Sequence, residues 1–270
     1  MKNRSVSVVI PTYNRLPYLR ELLTSLAAQT VQPDEVIIIN DAGEPVGELL
    51  EEFQSLHISI EQLPENVLHV HARNRGVALA TSDYMMLIDD DDWIVATHIE
   101  TMLQEIEGYD LAYSDVEIVE YKIVNGSRVP VERMLFAYEY DLAEMKKFST
   151  FIPSGCIYKR ELHKHIGLFD PDMKNYWDWD FFLRVAEAGS VKRVPVAGVL
   201  YDFTPGGQNQ SANLGSMRTY LDRLSLKHSL GFLPVKNFKL LLKEPEIILR
   251  QSSSQIVWNG EMPVISKVGQ

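Results

Sequence analysis

Residues 70–93 read VHARNRGVALATSDYMMLIDDDDW, and the change of pattern within this stretch decides the fold. Residues 70–80 predict a helix, whereas residues 84–88, YMMLI, are a short apolar run that predicts a buried strand. A helix that turns directly into a buried strand is the repeating unit of an α/β sheet. Here four consecutive carboxylates, 89–92, follow that strand at once.

The same alternation runs through the first 118 residues. We predict further strands at 6–10, 35–39, 58–63 and 110–118, and further helices at 16–29, 49–56 and 94–106. Strands that alternate with helices through short connections predict a mostly parallel central sheet with helices on both faces. The predicted fold class is therefore α/β, with a single Rossmann-like domain.

Beyond residue 118 the pattern is less regular. We predict a hairpin or irregular segment at 119–140 with a turn at Asn125-Gly126, then strands at 152–158 and 191–203. Helices are predicted at 160–165, 178–188 and 216–229, and a loop at 205–209. We expect one domain over 1–230, divided into two parts, 1–118 and 119–230. A C-terminal helical extension, 231–270, follows, and we expect part of 251–270 to be disordered.

Composition narrows the function classes. The net charge of −11, from 37 acidic and 26 basic residues, disfavours nucleic acid as a partner, because phosphate backbones attract Lys and Arg. The lone Cys156 excludes an internal disulfide and a multi-thiolate zinc site. The apolar run before Pro11 is too short for a signal peptide, and no stretch approaches the roughly 18 apolar residues of a membrane span. We therefore expect a cytoplasmic protein without a transmembrane segment, and peripheral contact with the inner membrane face stays open.

The acidic run Asp89 to Asp92 has two interpretations. Four adjacent carboxylates repel one another and raise one another's pKa, and a bound Mg²⁺ or Mn²⁺ relieves this repulsion. The alternative is a solvated acidic turn that caps the following helix. The position at a strand end favours the metal. Polar clusters also follow the first and second strands, at Thr12 to Arg15 and at Asn40-Asp41, and ligands of α/β sheets bind at such strand ends.

Four segments carry a resemblance to a known family. They are VSVVIPTYNR at 6–15, IIINDAG at 37–43, HARNRGVALATSDYMMLIDDDDW at 71–93 and WDWDFFLRVAEAG at 177–189. In this order and spacing they resemble the motifs of family 2 glycosyltransferases, which are inverting enzymes of GT-A fold. The resemblance covers roughly residues 5–205 and implies transfer of a sugar from a nucleoside diphosphate donor to an acceptor hydroxyl. It also implies that the Rossmann-like domain is nucleotide-binding, with a nucleotide-binding half 1–118 and an acceptor-binding half 119–230.

The resemblance also assigns candidate residues on the donor side. It places the nucleotide among the first two loops, with Asp41 on the base, Arg73 beside the nucleotide and Asp90 near the ribose. Asp89 and Asp91 correspond to the family's DxD acids, with Asp91 as the direct ligand of Mn²⁺ or Mg²⁺. The full set of candidate nucleotide-binding residues is Pro11, Thr12, Tyr13, Arg15, Asp41, Arg73, Asp89 and Asp90.

On the acceptor side, Asp178 matches the family's general base. Asp180 is the neighbouring candidate, but residues 178 and 180 lie about 200° apart on a helix, so both cannot face one cleft. Trp177 and Trp179 are candidates for contact with a sugar or the acceptor. The alternative for Asp178 is a structural role at a helix N-terminus, where the helix dipole favours a carboxylate.

The implied partners are a nucleotide-sugar donor, by resemblance a UDP-sugar, and a glycan or lipid-linked glycan acceptor, in polysaccharide or glycoconjugate synthesis. Two positions depart from the family pattern: Trp177 stands where many relatives have an acid, and Thr204 where many have a histidine. A sugar-nucleotide-binding protein that has lost catalysis therefore stays an alternative. A nucleotidyltransferase is disfavoured, because the loop after the first strand is neither Gly-rich nor strongly basic. The glycine patterns of P-loop enzymes and Rossmann dehydrogenases are absent from the sequence.

Overall fold

The computed structural model describes residues 4–204, 214–236 and 238–261. The strands are β1 Val6–Thr12, β2 Glu35–Asn40, β3 Ile58–Gln62, β4 Tyr84–Leu87, β5 Trp93–Ile94, β6 Leu111–Val124, β7 Ser127–Phe136, β8 Cys156–Lys159, β9 Val191–Asp202 and β10 Gln255–Ile256. The helices are α1 Leu16–Ala27, α2 Leu49–Glu52, α3 His69–Leu79, α4 His98–Glu105, α5 Leu142–Met145, α6 Leu162–Ile166, α7 Trp177–Ala188, α8 Leu214–His228, α9 Phe238–Leu241 and α10 Pro245–Ile248.

One sheet forms the centre of the fold, in the order β10-β9-β6-β8-β4-β1-β2-β3. Within this order, neighbouring strands are parallel except at β8, which runs antiparallel to both β4 and β6. Two further strands, β5 and β7, pair antiparallel with β9 and β6. The prediction of a mostly parallel α/β sheet is confirmed. The register sets Thr12 at the end of β1 beside Asn40 at the end of β2, so the loops that follow these strands leave the sheet side by side.

The central parallel strands β1 and β2 are mainly apolar because both of their faces are covered. Val8, Val9 and Ile10 of β1 are fully buried, as is the leucine stripe of α1. Helix α3 lies very close to β1: a Cβ placed on Gly76 would come within 2.2 Å of a methyl group of Val9. A glycine is therefore needed at this helix–sheet contact.

Several boundaries differ from the sequence predictions. The helix predicted at 94–106 was expected to begin at Ile94, but Trp93 and Ile94 form β5 and pair with β9, and Trp93 packs into a second hydrophobic cluster. Helix α4 begins only at His98. The predicted strand 152–158 is a short 3₁₀ turn, Pro153–Gly155, followed by β8.

The segment 119–140 contains the long hairpin of β6 and β7. Its turn is at Asn125-Gly126, where both residues have positive φ, 51° and 77°, as the tight hairpin turn requires. The expected turn is therefore confirmed, and β6 is considerably longer than the predicted strand 110–118.

The extension that begins at residue 231 contacts the sheet. Strand β10 pairs with β9, and Trp258 packs against Trp93 and Tyr121. Residues 255–256 are thus a strand within the segment expected to be partly disordered, whereas residues 262–270 and the predicted loop 205–209 lie outside the described residues. Within the described ranges, the helices lack the length and hydropathy that crossing a bilayer demands.

Candidate active site

The loops after β1, β2 and β4 open into one cleft of about 1120 Å³, which helix α7 borders. Every candidate residue from the sequence lines this cleft, with the exception of Asp180. Those that line it are Pro11, Thr12, Tyr13, Arg15, Asp41, Arg73, Asp89, Asp90, Asp91, Trp177, Asp178 and Trp179. Residues far apart in the sequence converge here because the strands that carry them are parallel neighbours.

The loops after β1 and β2 are locked to each other. Asn14 adopts a positive φ of 55°, and its side-chain oxygen accepts a hydrogen bond from the Glu44 backbone N–H at 2.8 Å. A Cβ on Gly43 would lie 2.7 Å from the Asn14 nitrogen, so a glycine is needed at this crossing. Asp41 is buried, and its carboxylate accepts the Val67 N–H at 2.7 Å, which fixes its orientation at the cleft wall.

The end of β1 and the loop after it bind the acidic run through hydrogen bonds and ion pairs. Thr12 donates its hydroxyl to Asp90 at 2.7 Å, and Arg15 donates to Asp90 at 3.0 Å and to Asp91 at 2.7 Å. These bonds tie the ends of two adjacent strands together. They also turn the carboxylates of Asp90 and Asp91 toward the cleft rather than toward bulk water.

Asp89, the first acid of the run, is bound by a residue of α3. Arg73 forms an ion pair with Asp89 and donates a hydrogen bond to the His69 ring nitrogen at 2.8 Å. Its guanidinium also stacks over Trp177, with 4.3 Å between the guanidinium carbon and the ring centroid. Burial, and then the charge of Arg73, lower the pKa of His69 to about 3, so that its ring is neutral. The buried Arg73 Nε finds no acceptor among the described residues.

Asp92 differs from the other acids because it points into the protein. It is fully buried, accepts the Ser154 hydroxyl, and accepts the Asp202 backbone N–H at 3.3 Å. Burial raises its pKa well above the usual value, with a further contribution from Asp91 and Asp89. Asp92 is therefore a structural member of the run, and Asp89 to Asp91 face the cleft.

The acids at the cleft are short of positive charge. Burial, together with the charge of Asp91, raises the pKa of Asp90 to about 7, although Arg15 opposes the shift. Burial also raises the pKa of Asp91. Crowded carboxylates of this kind attract a hard cation.

The described residues do not form a metal site made wholly of protein ligands. The described part of the chain contains no group of three or more His, Cys, Asp or Glu side chains placed to hold a metal ion. The oxygen donors of Asp89 and Asp91 nevertheless fit the common arrangement in which Mg²⁺ takes one or two carboxylates and completes its shell with phosphates and water.

Asp178 and Asp180 have different surroundings on α7. Asp178 is half-buried at the cleft, and burial raises its pKa to about 6. Asp180 is fully buried, with hydrogen bonds or ion pairs to Arg184 at 2.9 Å, Lys227 at 2.8 Å and His228 at 2.8 Å. The suggestion that Asp180 contacts a sugar is thus not supported, because the helix turns its carboxylate away from the cleft into an ion-pair network.

No local sequence pattern identifies Arg128 as a candidate functional residue. It lies on β7, two residues past the hairpin turn, and its side chain is 1% exposed. Its guanidinium binds Glu21 at 2.9 Å, the carboxylate of Asp202 at 3.0 Å and the backbone carbonyl of Asp91 at 3.1 Å. Arg128 is one of three basic residues in the predicted hairpin segment and resembles any solvated charge, so only the folded structure identifies its contact with the acidic run.

Thr204, at the position where many relatives have a histidine, takes part in the same arrangement. Its hydroxyl donates to Asp202 at 2.5 Å and accepts the Tyr121 N–H at 3.1 Å. Asp202 therefore receives bonds from both Thr204 and Arg128. Asp202 is a support for the acidic run in this structure.

Comparison with known proteins agrees with this geometry. Residues 7–167 match the family Glycosyl transferase family 2. The chain is 53% identical over 264 residues to "Uncharacterized glycosyltransferase YwdF" of Bacillus subtilis (strain 168), a match that spans 97% of this chain and 98% of that protein.

Solved structures show the same fold. A crystal structure of Staphylococcus aureus TarS 1–349 in complex with UDP-GlcNAc superposes with a TM-score of 0.63 at 20% identity, over 91% of this chain and 72% of that one. The mannosyltransferase PcManGT of Pyrobaculum calidifontis, in complex with GDP-Man and Mn²⁺, gives a TM-score of 0.59 at 15% identity, over 86% of this chain and 67% of that one. The chain therefore has the GT-A fold and belongs to glycosyl transferase family 2.

Proposed function

We propose that this glycosyltransferase moves a sugar from a nucleoside diphosphate donor, for which we favour a UDP-sugar, to an acceptor hydroxyl with inversion. The observation that carries the proposal is the shared cleft, in which the acidic run after β4 and the Asp178 carboxylate at the start of α7 line the same cavity. Its volume of about 1120 Å³ gives space for both substrates, since pockets for a single small ligand commonly measure roughly 300–1000 Å³.

The donor nucleotide would lie between the loops after β1 and β2. Pro11, Thr12 and Tyr13 would border the base, and the oriented carboxylate of Asp41 would accept a hydrogen bond from it. Arg73 lines the cleft beside Asp89 and would place its positive charge near a phosphate. The choice of UDP rests on resemblance and on the UDP-GlcNAc bound to TarS.

Asp91 and Asp89 would hold a divalent ion, Mn²⁺ or Mg²⁺, and Asp90 would lie near the ribose. When bound, the ion supplies Lewis-acid stabilisation of the negative charge that develops on the leaving diphosphate. Arg15 and Arg73 orient the acidic side chains and place positive charge beside the same phosphates. The Mn²⁺ in the PcManGT complex supports this assignment.

Asp178 would act as the general base. An acceptor hydroxyl has a pKa far above 7, so its proton must be removed as the oxygen attacks the anomeric carbon. With a pKa of about 6, Asp178 is largely ionised at neutral pH and still basic enough to accept that proton. Attack from the face opposite the diphosphate inverts the anomeric centre.

The acceptor would enter from the side of Trp177 and Trp179. Both rings line the cleft, and the Trp179 N–H is bonded to the Met145 carbonyl at 2.8 Å, which fixes that ring in place. Rigid aromatic faces bury the C–H surfaces of sugars well. A glycan or a lipid-linked glycan suits such a surface.

The test is nucleotide release from UDP-glucose, UDP-N-acetylglucosamine and GDP-mannose with Mn²⁺ present, for the wild type and for Asp178→Asn. General-base catalysis typically contributes 10²–10⁴-fold, so we expect Asp178→Asn to bind the donor normally and to lose about that factor in turnover. Asp172→Asn is the matched control, because that side chain is 78% exposed. If Asp178→Asn turns over the donor as fast as the wild type, Asp178 is not the general base. If the wild type binds the donor but does not turn it over, the alternative of a protein that has lost catalysis is favoured.

A further inference from the structure

The lining of the cleft also includes a group of apolar residues, and we call the part of the cleft that they border the apolar chamber. Its walls are Phe148, Ile152, Met217, Leu221, Leu241 and Ile247. Four of these six residues belong to α8 and the C-terminal extension, outside the segment 7–167 that matches the family. The chamber is therefore built largely by parts of the chain that the family motifs do not cover.

The polar side chains around the chamber are mostly committed to one another. Glu144 pairs with Lys147 at 2.6 Å and with Arg250 at 2.9 Å, and Arg250 also stacks over Phe148 at 4.8 Å. Ser149 donates its hydroxyl to a backbone carbonyl at 3.0 Å. Few hydrogen-bonding groups among the described wall residues are thus left to match the hydroxyls of a buried sugar.

The free energy of burying a ligand in the chamber then indicates which class of ligand would bind there. A sugar hydroxyl that loses water without gaining a partner is unfavourable, whereas each buried methylene is favourable and multiplies affinity up to about fourfold. We propose that the acceptor is an amphiphile whose hydrocarbon portion occupies the apolar chamber, with its hydroxyl toward Asp178. This inference rests on the proposed function, because it uses Asp178 to mark the reacting end.

The test uses methyl, butyl and hexyl β-glucoside, which share one head group and differ in alkyl length. Their binding to the full chain is measured by tryptophan fluorescence with UDP and Mn²⁺ present, since Trp177 and Trp179 line the cleft. We expect affinity to rise about two- to fourfold per methylene. Equal affinity for the three glucosides would overturn the proposal.

Variants of the wall residues test whether the alkyl chain binds in the apolar chamber. Leu221→Asn and Ile247→Asn alter two different walls, and each should reduce hexyl glucoside affinity at least about fivefold while methyl glucoside binding stays unchanged. Leu226→Asn lies on the same helix as Leu221 but is 84% exposed, so it serves as the control. UDP affinity and thermal unfolding show whether each variant is folded. If one wall variant does not fold, the other is used for the test.

The outcomes separate the two proposals. A chain-length effect that survives in both wall variants, or that Leu226→Asn abolishes equally, would place alkyl binding elsewhere and overturn the chamber. UDP binding without a chain-length effect contradicts the chamber and leaves the proposed function intact. A chain-length effect that depends on the wall residues, without any nucleotide binding, contradicts the proposed function instead.

Discussion

Replacement of Arg128 by methionine tests whether the buried cation beneath the acidic run sets the shape of the site. The change removes the partner of Glu21 and Asp202, whose side chains are 4% and 10% exposed, and takes a donor from the Asp91 carbonyl. Breaking a buried ion pair by removal of one partner typically costs 3–5 kcal/mol, because the other charge stays buried. We expect Arg128→Met to lose about that much unfolding free energy.

Urea denaturation, monitored by circular dichroism, measures this loss of unfolding free energy. A double-mutant cycle then shows how much of the loss comes from the ion pair between Glu21 and Arg128. Glu21→Met combined with Arg128→Met removes both charges, so the double variant should be less destabilised than the sum of the single variants by at least about 1 kcal/mol. Arg75→Met is the control: that side chain is 52% exposed in its pair with Glu61, and a surface pair contributes about 0–1 kcal/mol.

The same variant has a functional consequence. Under conditions where Arg128→Met is folded, the Asp91 backbone loses a hydrogen bond, so metal-dependent nucleotide affinity should fall while metal-independent affinity changes little. Additive costs in the cycle, or a destabilisation below about 1 kcal/mol, would refute the ion-pair reasoning. Unchanged metal-dependent affinity would show that Arg128 stabilises the fold without positioning the acidic run.

Three further predictions concern other parts of the chain. Because Asp178 must be ionised to act as a base, kcat/KM should fall as pH drops through about 6, which a pH–rate profile measures; a flat profile from pH 5 to 7 would contradict the assignment. Although burial alone would raise the pKa of Asp180, its basic neighbours lower that pKa to about 2. The unfolding free energy that this carboxylate contributes is therefore full above about pH 4 and is lost as the pH falls toward about 2. In Asp180→Asn, the unfolding free energy should depend less on pH between about 4 and 2. Gly76→Ala should destabilise the fold by about 1–3 kcal/mol through its clash with Val9, whereas Gly47→Ala, with open space around it, should have little effect; equal melting temperatures would count against the close packing of α3.

The parts of the fold that the sequence predicts are those fixed by local pattern. Apolar strands such as 6–10 and the helical stripe of α1 follow from periodicity, and the polar clusters at strand ends converge because parallel strands align those ends. The turn at Asn125-Gly126 follows from the positive φ that both positions need.

The remainder depends on contacts between distant residues. Nothing local distinguishes Asp92, which turns inward to Ser154, from Asp91, which faces the cleft, because both are acids in one run. Asp180 and Asp178 separate because of helix geometry, yet the three basic partners that bury Asp180 come from α7 and α8. Arg128 acquires its role only when the hairpin folds back over α1.

The central claim is that Asp91 helps to hold a metal-bound nucleoside diphosphate in this cleft. Calorimetric titration of UDP, GDP and dTDP, each with and without Mn²⁺, tests it on the wild type, on Asp91→Asn and on the exposed control Asp172→Asn. The account predicts that one nucleotide, which we expect to be UDP, binds much more tightly with Mn²⁺, and that Asp91→Asn alone loses this dependence. Failure of all three nucleotides to bind, or a metal dependence that Asp91→Asn retains, would contradict it.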